Sequence, residues 1–212
     1  MKEQSVTFPS GSLTLEGLLA KPEGDAVARG GVVCHPHPLY GGSMYNNVVD
    51  AVLAAMWKKQ WTTLRFNFRG VGASEGEHDG GAGEADDAAA AVAFVAGQPG
   101  VQKDGAVLAG YSFGSIAAMT AAPKISGLGA LVLVALPLKM ADARALKDFA
   151  GPIVLAAGDG DMYCPVPQLE ALHKELGKRA QLRIIHGADH FFGGCEVELA
   201  DAIESMLATL SK

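Results

Sequence analysis

The sequence is poor in the features that would mark an oxidising compartment, a polyanionic partner or a membrane span. It has only three cysteines, Cys34, Cys164 and Cys195, widely spaced and with no C-x-x-C. An odd, scattered set is no disulfide framework and points to a reducing compartment. A basic excess is missing too: 17 Lys and Arg face 23 Asp and Glu, a formal net charge of −6. Nucleic acid and anionic membranes both call for a basic surface, so neither is an expected partner. The longest apolar stretch, around Ala130 to Leu136, is far too short to span a bilayer. The start, Met1-Lys2-Glu3-Gln4-Ser5, is polar and carries no apolar signal core, so a cytoplasmic protein is expected. No linker, repeat or charge block interrupts the chain.

What is present suits one α/β domain over residues 1–212. At 212 residues and 49% hydrophobic, the chain can bury a sizeable core without staples. The first twenty residues read as an antiparallel hairpin, with Val6-Thr7-Phe8 as one arm, Pro9 to Ser12 as the turn and Leu13 to Ala20 as the other arm. From Gly30 the pattern changes. Short apolar runs (Gly31–Cys34, Thr62–Phe68, Ala106–Gly110, Ala130–Ala135, Ile153–Ala157, Leu182–Ile185) alternate with helical stretches (Asn47–Lys59, Glu84–Ala96, Gly114–Ala122, Ala141–Phe149, Val166–Leu176, Glu196–Leu210). The last helix places Leu199, Ile203, Met206, Leu207 and Leu210 on one stripe. This alternation predicts a mostly parallel, doubly wound sheet covered on both faces, with ligands at the strand C-terminal ends. The acids of Glu84-Ala85-Asp86-Asp87 fit the positive end of a helix rather than a metal cluster.

Gly110-Tyr111-Ser112-Phe113-Gly114 is the most informative segment. It is a G-x-S-x-G pattern between an apolar run and a helical stretch, the strand–turn–helix context of a nucleophile elbow. The glycines allow the close approach that such a strained turn forces on its neighbours. The hydroxyl is lifted above the sheet edge, and the helix N-terminus behind it offers free N–H groups to a developing anion. A serine hydroxyl needs a base in contact, and the base needs an acid to orient it. The strand at Ile153–Ala157 runs into Gly158-Asp159-Gly160-Asp161, and the last strand runs into His186-Gly187-Ala188-Asp189-His190-Phe191-Phe192. Both loops emerge on the edge of Ser112, in the chain order serine, acid, histidine. His186 abuts its strand, whereas His190 sits at the loop tip and can reach back, so His190 is the expected base. Asp159 and Asp161 compete as the acid. Asp159 is placed to cap its own turn, and Asp189 reads as a turn former.

Other patterns fail. Cys34, His35 and His37 alternate on one stretch with no matched ligand set elsewhere, so no metal is expected. Gly70-Val71-Gly72 lacks both the third glycine spacing and the helix of a dinucleotide fingerprint. No cofactor is expected.

Taken together, Cys34-His35-Pro36-His37-Pro38-Leu39-Tyr40-Gly41-Gly42-Ser43, Arg65 to Ser74, Gly110 to Gly114, Gly158 to Asp161 and Gly187 to Phe192 resemble the α/β-hydrolase superfamily. Within it the chain is similar to small lid-less bacterial serine hydrolases related to dienelactone hydrolases and esterases. The resemblance covers nearly the whole chain from about residue 5. It implies that the second aspartate of the G-D-x-D loop, Asp161, is the triad acid and that His190 is the base. The amide of Phe113, after the nucleophile, is one expected oxyanion donor. Pro36 and Pro38 have no N–H, which leaves His37, Leu39 or Tyr40 for the other. Aligning His37-Pro38-Leu39 with the family's histidine-led oxyanion loop favours Leu39.

The expected chemistry is hydrolysis of a small-molecule acyl substrate, a carboxylic ester first, with a thioester, lactone or peptide bond on the same site as alternatives, or a non-catalytic binding protein of the same fold. The connection Leu136–Pro152, where family lids are inserted, is short, so no large cap domain is expected. The cleft is then open, or closed by the second subunit of a homodimer. Tyr40, Leu136, Met162 and Phe191 are the expected substrate contacts, with Leu138, Met140 and Tyr163 as further candidates.

Overall fold

The computed structural model describes residues 1–24 and 26–209. One eight-stranded sheet organises the chain, in the order β1-β2-β4-β3-β5-β6-β7-β8. The hairpin β1 (Glu3–Ser10) and β2 (Leu13–Ala20) is antiparallel, and β2 also meets β4 (Thr62–Phe66) antiparallel. From β4 onward the ladder through β3 (Gly30–Cys34), β5 (Val107–Tyr111), β6 (Ala130–Val134), β7 (Ile153–Gly158) and β8 (Ala180–Ile185) is parallel.

The hairpin turn is tighter than expected. Pro9 and Ser10 stay in β1, paired with Thr14 and Leu13, and only Gly11 and Ser12 turn. Proline is tolerated there because β1 is the sheet edge, where a missing N–H costs no ladder bond. The strand expected to reach Phe68 ends at Phe66. The Asn67 amide still donates across to the Glu16 carbonyl of β2 at 3.1 Å, and the Phe68 amide then turns away to Nε2 of His35 at 3.0 Å.

Side chains alternate across the sheet. Leu108, Leu131, Leu133 and Leu155 face one core with helices α2 (Ala82–Ala96), α3 (Phe113–Ala121) and α4 (Val166–Leu176). Val107, Ala109, Val132, Val134 and Val154 face the other, with α1 (Asn47–Lys58) and α5 (Glu196–Thr209). Both faces are therefore buried, as continuous apolar strands require. Truncating one such residue, for example Leu131→Ala, costs about 2–5 kcal/mol. On α5 the residues Leu199, Ile203, Met206 and Leu207 are buried as the stripe demands; Leu210 lies outside the described residues. None of the described helices is long and apolar enough to cross a membrane.

The parallel strands send all their following loops to one edge. The connection after β6 does not rise over that edge. Its one helical segment, Ala143–Asp148, is a short 3₁₀ helix, and Leu136, Leu146 and Phe149 pull the connection down into the core.

Candidate active site

Ser112 sits between β5 and α3 with φ 53° and ψ −119°, a left-handed φ on a non-glycine residue. Such backbone costs about 1–3 kcal/mol and persists only where its surroundings enforce it. The enforcement is visible. The Ser112 amide donates to the Val134 carbonyl at 2.9 Å. A Cβ on Gly110 would stand 2.1 Å from the Gly114 carbonyl oxygen, and one on Gly114 2.4 Å from that of Cys34. The motif glycines are thus places where helix, strand and the β3 loop touch backbone to backbone. Ser115, fully buried, adds a tie: its hydroxyl lies 2.7 Å from the Gly110 carbonyl and 2.8 Å from that of Val134.

The structure brings Ser112, His190 and Asp161 together. Ser112 Oγ is 2.9 Å from His190 Nε2, and His190 Nδ1 is 2.8 Å from Asp161 Oδ2. A carboxylate only accepts, so Nδ1 carries the proton and the neutral ring offers a bare Nε2 to the serine O–H. The other oxygen, Oδ1 of Asp161, accepts the Tyr163 amide at 2.8 Å and the Cys164 amide at 2.9 Å. These three donors offset the cost of burying the carboxylate. Asp189 Oδ1 accepts the amides of Phe191 and Phe192 at 2.8 and 3.2 Å and so shapes the His190 loop. The Tyr111 hydroxyl donates to the His190 carbonyl at 2.9 Å. Burial, then the carboxylates of Asp161 and Asp189, push the Tyr111 phenol far up, so it stays a donor. Burial and Asp161 push the Cys164 thiol up to about 12, which leaves it protonated and unreactive. The competing residues pair with each other: His186, 89% exposed, lies 3.1 Å from Asp159. Asp159 also accepts the Gly187 amide at 2.9 Å, joining the β7 and β8 loops.

The loop after β3 departs from expectation. Leu39 is 71% exposed, and its amide donates to His37 Nδ1 at 3.2 Å inside its own turn. The Tyr40 amide donates to the His37 carbonyl at 3.1 Å. Among the described residues, the amides of His37 and Phe113 have no hydrogen-bond partner. The His37 and Phe113 rings pack at 4.7 Å between centroids. His35 is not available for chemistry. Besides accepting from Phe68, it has Nδ1 2.6 Å from the Pro36 carbonyl, and burial lowers its pKa to about 4.

Of the expected substrate contacts, Tyr40, Met162 and Phe191 are exposed on the loops around Ser112. Leu136 is not: it is 0% exposed and belongs to the core. Ala135 turns with φ 50°, directing the next side chain inward. The rings around His190 are those of Tyr111, Tyr163 and Phe191. Those around Phe113 are His37, Phe68 and His78. Sequence reasoning passed over Tyr111 and Ser115, although both flank the serine by a few residues, and it passed over His78, which nothing local marks.

Comparison with known proteins gives a consistent answer. A Rickettsia prowazekii protein of uncharacterised activity is 32% identical over 188 residues, covering 84% of this chain and 78% of that one. The solved structure of an α/β serine hydrolase homologue from Coxiella burnetii superposes with TM-score 0.88 at 32% identity, covering 98% of each chain. An α/β serine hydrolase without a lid from Xanthomonas campestris gives 0.85 at 29% identity, covering 99% of this chain and 95% of that one. Residues 51–204, from α1 through most of α5 and including all three converging side chains, match the dienelactone hydrolase family; the chain belongs to that family and carries the α/β-hydrolase fold.

Proposed function

We propose that the protein is a serine hydrolase that cleaves small carboxylic esters through an acyl-enzyme. The observation that carries this reading is the unbroken chain Ser112 Oγ–His190 Nε2, His190 Nδ1–Asp161 Oδ2, at 2.9 and 2.8 Å. Ser112 attacks the ester carbonyl carbon while His190 takes its proton. Asp161 holds the imidazole in its tautomer and stabilises the cation that forms. The carbonyl oxygen becomes an oxyanion, bound by the Phe113 amide and, in place of Leu39, by the His37 amide. Each such donor is worth roughly 10²–10³ in rate. His190 then protonates the leaving alkoxide. Water enters, gives its proton to His190 and attacks the acyl carbon, and the serine leaves with that proton restored.

The substrate is a small organic ester met by an open rim of Tyr40, Met162 and Phe191. An ester is favoured over a peptide bond because an alkoxide is a better leaving group than an amine nitrogen. The test is p-nitrophenyl butyrate hydrolysis by Ser112→Ala. Turnover should fall to the uncatalysed background; activity equal to the parent protein would end the reading. A binding protein of the same fold would leave the parent protein inactive as well.

A further inference from the structure

A second imidazole–carboxylate pair lies against the ring of Phe113, the residue next to Ser112. His78, on the loop after β4, sets Nδ1 2.7 Å from Oε1 of Glu84. Glu84 is fully buried in the first turn of α2, and its other oxygen, Oε2, accepts the Gly81 amide at 2.8 Å. The carboxylate fixes the proton on Nδ1, so His78 Nε2 is the end left for another molecule. It has no partner among the described residues, and it is not among the buried unsatisfied atoms, so solvent reaches it. The His78 ring packs on His37 at 4.9 Å and on Phe113 at 5.4 Å. His37 in turn accepts the Leu39 amide on Nδ1, which puts the proton of its neutral ring on Nε2. Desolvation is the largest influence on the His37 pKa and lowers it, against the opposing pull of Glu84. Two adjacent rings therefore present one N–H donor and one bare nitrogen acceptor beside the residues assigned to the oxyanion.

We propose that His78, locked by Glu84 and partnered by His37, selects acyl groups that carry a neutral hydroxyl. The inference rests on the ester-hydrolase reading above. A hydroxyl both donates and accepts, and so satisfies the pair. An anion does not fit. Among the described residues no lysine or arginine forms an ion pair with His37 or His78 or a cation–π contact with Phe113. The neighbouring cation, Arg69, is held by Asp87 at 2.8 Å and Asp79 at 3.6 Å, while Glu84 and Asp79 bring negative charge. The hydroxyl belongs to the acyl part because the leaving oxygen must stay within reach of His190, whose ring neighbours are Tyr111, Tyr163 and Phe191. A polar site left unpaired by the wrong substrate discriminates strongly.

The experiment compares kcat/KM for two matched pairs, p-nitrophenyl 3-hydroxybutyrate against butyrate and 4-hydroxyphenylacetate against phenylacetate, with p-nitrophenyl hemisuccinate as the anionic arm. At least one hydroxylated ester should exceed its partner about tenfold or more. His78→Phe should bring that ratio close to one, and His78→Gln, which keeps a polar tip, should retain part of it. Each ratio is taken within one protein, so a partly folded variant does not distort it, and the glutamine variant stands in if phenylalanine does not fold. Ratios near one in the parent protein, a ratio unchanged in both variants, or preference for hemisuccinate would overturn the inference. Turnover of the plain esters with no hydroxyl preference defeats this inference alone. No turnover of any ester, with Ser112 inert to a fluorophosphonate, defeats the ester-hydrolase reading and this inference with it.

Discussion

His190–Asp161 and His78–Glu84 are built alike and sit differently. In each, Nδ1 of an imidazole meets a buried carboxylate, at 2.8 and 2.7 Å, and the carboxylate also ties down backbone amides of its own loop. The difference is at the far nitrogen. Nε2 of His190 has the Ser112 hydroxyl at 2.9 Å, and Nε2 of His78 has no hydrogen-bond partner among the described residues. An imidazole oriented by a carboxylate is therefore only a prepared base. The strained turn at Ser112 brings a hydroxyl to one of the two; on our proposal that hydroxyl is the nucleophile and the other imidazole faces substrate.

The sharpest way to break this comparison is to neutralise each carboxylate. Asp161→Asn should lower kcat on p-nitrophenyl butyrate by roughly 10³–10⁴, because the base loses its tautomer control. Glu84→Gln should lower it no more than about tenfold, since His78 moves no proton in the reaction. Equal losses in steady-state kinetics would show that the two pairs are not distinct in role.

Next in size is the test of the oxyanion loop. His37 has φ −56°, a value proline adopts freely. His37→Ala removes the ring and keeps the amide; His37→Pro removes both. The proline variant should turn over the butyrate ester about 10²–10³ more slowly than the alanine variant. Equal rates would return the second donor to another amide, with Leu39 the first to reconsider.

His35 sharpens the comparison as a third histidine with neither nitrogen free. Its pKa is lowered from 6.5 to about 4 in the folded state, so the unfolded chain binds the proton first as pH falls. Stability from this group is whole above pH 6.5 and is lost as pH drops toward 4, by about 3 kcal/mol in all. Urea unfolding at pH 7 and pH 4 should show that fall, and His35→Gln should show a smaller one, the remainder coming from carboxylates such as Asp159, which His186 holds below the usual range. A variant with the full parental slope would contradict the assignment. The smallest effect is expected of Tyr111→Phe. Losing the bond to the His190 carbonyl should cost about 1 kcal/mol of stability and a few-fold in kcat, read by thermal unfolding and the same ester assay.

Much of this was legible in the sequence, for physical reasons. Continuous apolar runs alternating with helices of period 3.6 can bury themselves in few ways, so the doubly wound sheet followed from β3 onward. The elbow was legible because backbone contact at Gly110 and Gly114 leaves glycine as the residue that fits. The convergence of Asp161 and His190 on Ser112 was readable because parallel strands deliver their following loops to one edge. Leu136 was misread because its side depends on the left-handed turn at Ala135, which no residue type announces. The engagement of the Leu39 amide by the His37 ring was not legible, because that contact is set by side-chain orientation. His78 went unseen because its partner, Glu84, read as simple helix-start chemistry, and Glu84 serves that role and orients His78 at once.

The central claim is that the Ser112 hydroxyl is activated by His190. Treating the folded protein with a fluorophosphonate and locating the adduct by peptide mass spectrometry tests it most directly. Stoichiometric phosphonylation of Ser112 is expected, with its loss in His190→Ala of unchanged circular dichroism. An unlabelled Ser112 in the folded parent protein, or labelling that persists at full rate without His190, would contradict it.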